Sequence, residues 1–163
     1  MKKYTQADLD AFEVIDGIKQ CPSGDYSAIQ VFSDRCSFSE DCSFGEDCSF
    51  GERCSFGERC SFSEGCSFGG CCSFGERCSF GGCCSFEDKG EYIGDYPFLA
   101  FVGFGSRIGS KVYFFNLQDG IYVRCGCWLS DIAGFRERVK EKNADAMYLD
   151  LCDLVERKFD RKN

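Results

Sequence analysis

Residues 48–65 read CSFGERCSFGERCSFSEG, three copies of one six-residue phrase. The trio Cys-Ser-Phe begins nine times, at Cys36, Cys42, Cys48, Cys54, Cys60, Cys66, Cys72, Cys78 and Cys84, and the spacing never slips. Cys and Phe stand two apart, so in an extended segment they share one face and Ser points to the other. The Gly-Glu-Arg that follows suits a corner, because Gly reaches special backbone angles and the charges stay in water. Phe32 continues the Phe register backward, which gives ten Phe residues in one series, from Phe32 to Phe86. An α-helix cannot keep this stripe on one face, since six residues turn about 600°. Short strands joined by regular corners can. Units of this kind stack into a solenoid in which each rung buries its neighbour's face.

Read from Phe, the unit is Phe-Gly-Glu-Arg-Cys-Ser, a large apolar residue, then Gly, then a small residue four positions on. It resembles the hexapeptide repeat of left-handed parallel β-helix proteins. The resemblance spans about residues 28–88 and implies roughly three triangular coils of 18 residues, with Phe where that family prefers Ile, Val or Leu. Pentapeptide repeats share the central trio but have period 5. Under the 18-residue reading, Phe38/Phe56/Phe74, Phe44/Phe62/Phe80 and Phe50/Phe68/Phe86 form three columns whose successive members lie about 4.8 Å apart.

The cysteines admit four readings. A zinc site needs paired Cys-x-x-Cys, whereas this spacing is Cys-x5-Cys. A disulfide ladder meets the distance requirement between stacked positions, but an intracellular setting and an odd number per column count against it. A reactive thiol needs an exposed, electropositive site. The remaining reading, a small buried apolar filler, is favoured for the nine in register. Cys71 and Cys83 replace the corner Arg and are candidates to face a partner. Cys125 and Cys127 are assigned to a core or interface. The outward Ser rows lack the methyl groups of Thr-based ice-binding surfaces.

The flanks divide the chain into an N-terminal cap (1–32), the repeat (33–89) and a small α+β module (90–163), a mainly β protein overall. Thr5-Gln6-Ala7-Asp8 is a capping signature for a short helix to about Phe12, and the turns of residues 13–32 cover the first coil. In the module, 97–102 and 111–117 read as strands, Gln118-Asp119-Gly120 as a turn and 121–128 as the return strand. Ser130 caps a helix over about 131–142, and a second helix covers about 145–159 with Met147, Leu151, Leu154 and Val155 on one face. The module resembles the C-terminal part of uncharacterised bacteriophage and prophage proteins over residues 99–158, a resemblance that implies a phage setting and brings no activity.

Charge and composition narrow the function. The 163 residues hold no histidine, which removes the commonest general base and metal ligand. Hexapeptide-repeat acyltransferases and carbonic anhydrases depend on histidine, so no enzymatic activity, metal or cofactor is expected. Residues 34–88 hold 11 acidic and 4 basic groups, which argues against direct nucleic-acid binding and for a basic protein partner. The absence of a long apolar run or an apolar leader makes the bacterial host cytoplasm the expected location. The leading expectation is a non-enzymatic, self-associating binding protein that binds and blocks a host factor such as an anti-phage defence component through Glu40, Glu58, Glu76, Cys71 and Cys83. The alternatives are a nucleotide-like ligand held between subunits near Arg107, Lys111, Tyr113, Arg124 and Trp128, and a virion structural part. The loop 103–111 is the one segment suited to cradling an anion.

Overall fold

The computed structural model describes residues 1–87, 89–104, 111–126 and 128–159. These form two compact units, Met1–Glu91 and Tyr92–Asn163.

The first unit is a parallel β-solenoid of about four turns. Helix α1 (Gln6–Ala11) precedes the hairpin β1 (Val14–Ile15) and β2 (Ile18–Cys21). Ten short strands follow: β3 (Val31–Phe32), β4 (Cys36–Phe38), β5 (Ser43–Phe44), β6 (Ser49–Phe50), β7 (Ser55–Phe56), β8 (Ser61–Phe62), β9 (Ser67–Phe68), β10 (Ser73–Phe74), β11 (Ser79–Phe80) and β12 (Ser85–Phe86). They line three sheets, ordered β1-β2-β4-β7-β10, β11-β8-β5 and β12-β9-β6-β3. Ser55 faces Ser37 and Ser73, and Phe56 faces Phe38 and Phe74, so the register is 18 residues per coil. The turns begin earlier than the repeat does. Cys21 pairs with Phe38 and Phe32 with Phe50, and Asp25 bridges Ser43, so residues 18–35 already form a coil rather than only a cover.

The Phe rings make the core. Within each column they lie parallel: Phe38–Phe56 at 5.1 Å and 2°, Phe44–Phe62 at 4.9 Å and 3°, Phe50–Phe68 at 5.0 Å and 4°. Between columns they meet edge to face, as Phe56–Phe62 does at 4.9 Å and 90°. The strand spacing imposes the first distance and the ring quadrupole favours the second geometry, each pair adding about 0.5–1.5 kcal/mol beyond burial. Tyr26 stacks on Phe44 at 5.5 Å, and Tyr4 on Tyr26 at 5.0 Å, which closes the N-terminal end. Tyr4 is held there by a parallel bridge between Lys3 and Asp25, and α1 follows with the expected Thr5–Asp8 capping box.

Three backbone bonds repeat per phrase: Ser61 N–H to Cys42 O (2.9 Å), Gly57 N–H to Phe38 O (2.9 Å) and Arg59 N–H to Glu76 O (2.9 Å). The corners are therefore laddered as well as the strands. The conformational demand falls elsewhere than expected. The positive φ belongs to the residue before each Cys, at 57° in Arg35, 58° in Asp41, 58° in Arg59 and 61° in Cys71, and at 74° in Gly65. The Gly after Phe is needed for space. A Cβ on Gly57 would lie 2.5 Å from Glu40 N and 2.7 Å from Ser39 C, both backbone atoms of the coil below.

The second unit is a four-stranded antiparallel sheet, β13 (Phe98–Val102), β14 (Lys111–Leu117), β15 (Gly120–Cys125) and β16 (Trp128–Asp131), with α2 (Ile132–Glu141) and α3 (Met147–Lys158). Val112, Phe114, Ile121 and Val123 pack with Phe135, Val139, Leu151, Cys152 and Val155. Three details differ from expectation. Residues 121–128 are two strands, because Gly126 turns the chain at φ +65°. Asp131, not Ser130, caps α2, since its carboxylate accepts the Gly134 N–H at 2.8 Å. Helix α3 buries Leu151, Cys152 and Val155, while Met147 and Leu154 are exposed. Among the described residues no helix is long and apolar enough to cross a membrane.

Candidate binding surface

The nine cysteines in register need no chemical explanation beyond packing once the solenoid's carbonyls are traced. The repeat thiols donate to corner carbonyls of the coil below: Cys54 to Ser33 O, Cys60 to Ser39 O and Cys66 to Gly45 O at 3.4 Å, and Cys72 to Gly51 O and Cys78 to Gly57 O at 3.3 Å. Among the described residues these carbonyls take no backbone N–H. Cys is thus both a small apolar filler and a weak donor that satisfies an inward-facing oxygen. Hydrogen bonding to the Cys42 thiol, with burial, pushes Cys60 up to about 11. The Cys54 thiol is likewise raised, by bonds to the thiols of Cys36 and Cys72 and by burial. The raised thiols are neutral at neutral pH and are poor nucleophiles, and the same bonds lower their stacked partners Cys36, Cys42 and Cys66. Among the described residues no group of three His, Cys, Asp or Glu side chains is placed to hold a metal ion.

The acidic groups fall on three edges of the solenoid, which differ in their compensation. On the edge after β4, β7 and β10, Arg59 binds Asp41 through Nε and Nη2 (2.8 and 2.9 Å), Glu40 through Nη2 (3.1 Å) and Glu58 through Nη1 (3.2 Å). The bidentate Arg59 contact holds the Asp41 carboxyl below its ordinary range. Glu40 and Glu58, read from the sequence as partner contacts, are therefore already engaged, while Glu76 is exposed one coil further on. On the edge after β3, β6 and β9, Arg35 and Arg53 alternate with Asp34 and Glu52.

The edge after β5, β8 and β11 is different. It presents Glu46, Asp47 and Glu64, all exposed, and its corner positions contain no basic residue. None of the three has an ion-pair partner among the described residues. The signal was present in the repeat, as the corners Gly-Glu-Asp at 45–47 and Ser-Glu-Gly at 63–65 lack the Arg found elsewhere. It becomes visible only when residues are sorted by 18 instead of by 6.

The two corner cysteines lie on separate edges. Cys71 is half-buried and gives its N–H to the Glu87 carboxylate at 3.1 Å, whereas Cys83 is exposed on the edge of Glu46 and Glu64. The sequence-derived ligand residues also divide. Lys111, Tyr113 and Arg124 occupy one face of the sheet, with the Arg124 guanidinium 4.6 Å from the Tyr113 ring centre. Trp128 pairs with Cys125 and occupies the other face. Arg107 and Cys127, with most of the loop 103–111, lie outside the described residues. No protein family, curated protein or solved structure matches the chain.

Proposed function

We propose that this is a non-enzymatic binding protein that offers the acidic edge of a rigid solenoid to a basic protein surface. The observation that supports the reading most directly is the uncompensated row Glu46, Asp47 and Glu64 beside the neutralised cluster at Arg59. A laddered backbone fixes these carboxylates in space, so less ordering entropy opposes binding than on a loop. Like charges held together raise local potential and steer a cationic partner.

The three sheets and 18-residue register favour the left-handed hexapeptide type of coil. The likeness of residues 99–158 to uncharacterised bacteriophage proteins makes a host factor, such as an anti-phage defence component in the bacterial cytoplasm, the proposed target, with inhibition as the outcome.

The test is affinity capture of a host partner with the intact chain and two charge-reversed variants. The Glu46→Lys/Asp47→Lys/Glu64→Lys chain is expected to lose the partner that the wild type retains. Glu40→Lys/Glu58→Lys is expected to keep it, since those carboxylates already bind Arg59. Equal retention by all three chains, or loss only from the second, would remove the edge from the proposal.

A further inference from the structure

A second kind of site lies within the C-terminal unit. A pocket of about 180 Å³ opens beside β16, α2 and the start of α3. Phe135 lines it, with the Trp128 ring centre 5.9 Å and the Tyr148 ring centre 5.8 Å from its own. Two cations reach the rim from one face of α2 and the turn after it, Arg138 and Lys142, four residues apart. The Arg138 guanidinium sits 4.8 Å from the Trp128 ring centre.

The charge here is not spent internally. Among the described residues neither Arg138 nor Lys142 has a carboxylate within ion-pair distance. Arg136, two residues away, shows the contrast, since Asp153 and Glu156 hold it at 2.6 and 2.8 Å. The Cys125 thiol in the wall is raised by burial, against the pull of Arg138 and a hydrogen bond with Tyr148, and so adds no competing negative charge.

We propose that this pocket binds a single planar ring bearing an anionic group, with the ring against Trp128, Phe135 and Tyr148 and the anion at Arg138 and Lys142. The aromatic walls supply stacking area and the cations supply orientation. Size restricts the class. A cavity of roughly 150 Å³ accepts one benzene, whereas drug-sized ligands fill about 300 Å³ or more. One ring fits and a dinucleotide does not. Two sources offer this chemistry, a pyrimidine mononucleotide and an aromatic carboxylate. The site uses none of the acidic-edge residues, so the two proposals stand or fall separately.

Trp128 is the only tryptophan in the chain, so its fluorescence reports on this pocket alone. The intact protein is titrated with uridine monophosphate and 4-hydroxybenzoate, and with their neutral counterparts uridine and 4-hydroxybenzyl alcohol. A saturable change is expected with at least one anion, and the tighter of the two identifies the source. The matching neutral compound should bind at least tenfold more weakly. Arg138→Gln and Lys142→Gln, both at exposed positions, should each weaken the anion about five- to tenfold while leaving the circular dichroism spectrum unchanged. No saturable change up to 10 mM of either anion, equal affinity for charged and neutral rings, or an unaltered titration in both variants would overturn the proposal.

Discussion

At the scale of single residues, the repeat assigns each position a separate physical duty, and glycine shows this most plainly. Gly57 is required because the backbone of the coil below leaves no room for a Cβ. Ser63 stands at the equivalent place one strand on, and there the ladder bond Ser63 N–H to Phe44 O lengthens to 3.3 Å, against 2.9 Å at Gly57. Gly57→Ala should therefore lower stability by about 1–3 kcal/mol through overpacking. Gly82 has open space and no positive φ, so Gly82→Ala should be neutral or stabilise by about 0.4–1 kcal/mol through the unfolded chain. Denaturant melts of the pair check both signs. The thiols add a pH dependence. Cys152 is raised by burial to about 11. Unfolded thiols ionise near pH 8.5, so between about pH 9 and 11 the unfolded chain releases a proton here that the folded chain retains. This stabilisation is complete below that window and is lost as pH rises through it. Melts at pH 7.5, 9 and 10.5 should show a steady fall, and Cys152→Ala should give a shallower slope.

At the scale of elements, a coil is stable because its rings lie between those of its neighbours. Phe56 stacks on both Phe38 and Phe74 at 5.1 and 5.3 Å and is buried. Phe80, on the outermost coil, is partly exposed. Phe56→Ala should cost about 3–5 kcal/mol as a cavity in a close-packed core, and Phe80→Ala clearly less, which chemical denaturation of the two variants would measure. The same stacking explains what the sequence disclosed. A period of six with Cys and Phe two apart revealed strands, corners and three columns. The coil at residues 18–35 was hidden because its strands read Lys-Gln-Cys, Asp-Tyr and Val-Phe, and only Tyr26 and Phe32 precede Phe44 and Phe50 by 18. Corner space was illegible because it depends on the coil below, and the left-handed angle was assigned to the Gly after Phe although it falls on the residue before Cys. In the second unit, α3 was read along Met147, Leu151, Leu154 and Val155; Leu151 and Val155 are buried, but Tyr148 and Cys152 complete that side in place of Met147 and Leu154, an aromatic and a thiol standing in for aliphatic residues. The acidic edge was written in the corners but needed the 18-residue register, and the Trp128–Tyr148 pocket needed the fold of three elements.

At the scale of the whole molecule, a solenoid in which each coil touches only its neighbours is most open at its ends. The N-terminal end is closed by Tyr4 over Tyr26. Toward the other end the ladder needs a substitute. In lower coils the amide before each Cys donates to the next coil's corner carbonyl, as Arg53 N–H does to Gly70 O at 2.8 Å. At Cys71 the Glu87 side chain takes this place, and Glu87 is itself buried with φ +55°. A hydrogen bond to a charged acceptor is worth about 1.5–3 kcal/mol, so Glu87→Gln should loosen the last coil selectively. Hydrogen exchange should then quicken about tenfold or more at the Cys71 amide, while the amides of Ser55 and Gly57, on a strand covered by β10 on one side and by β4 and β2 on the other, keep the wild-type rate. Equal acceleration at all three positions would mean that the solenoid opens as one unit, and that Glu87 stabilises the whole stack instead of sealing its end.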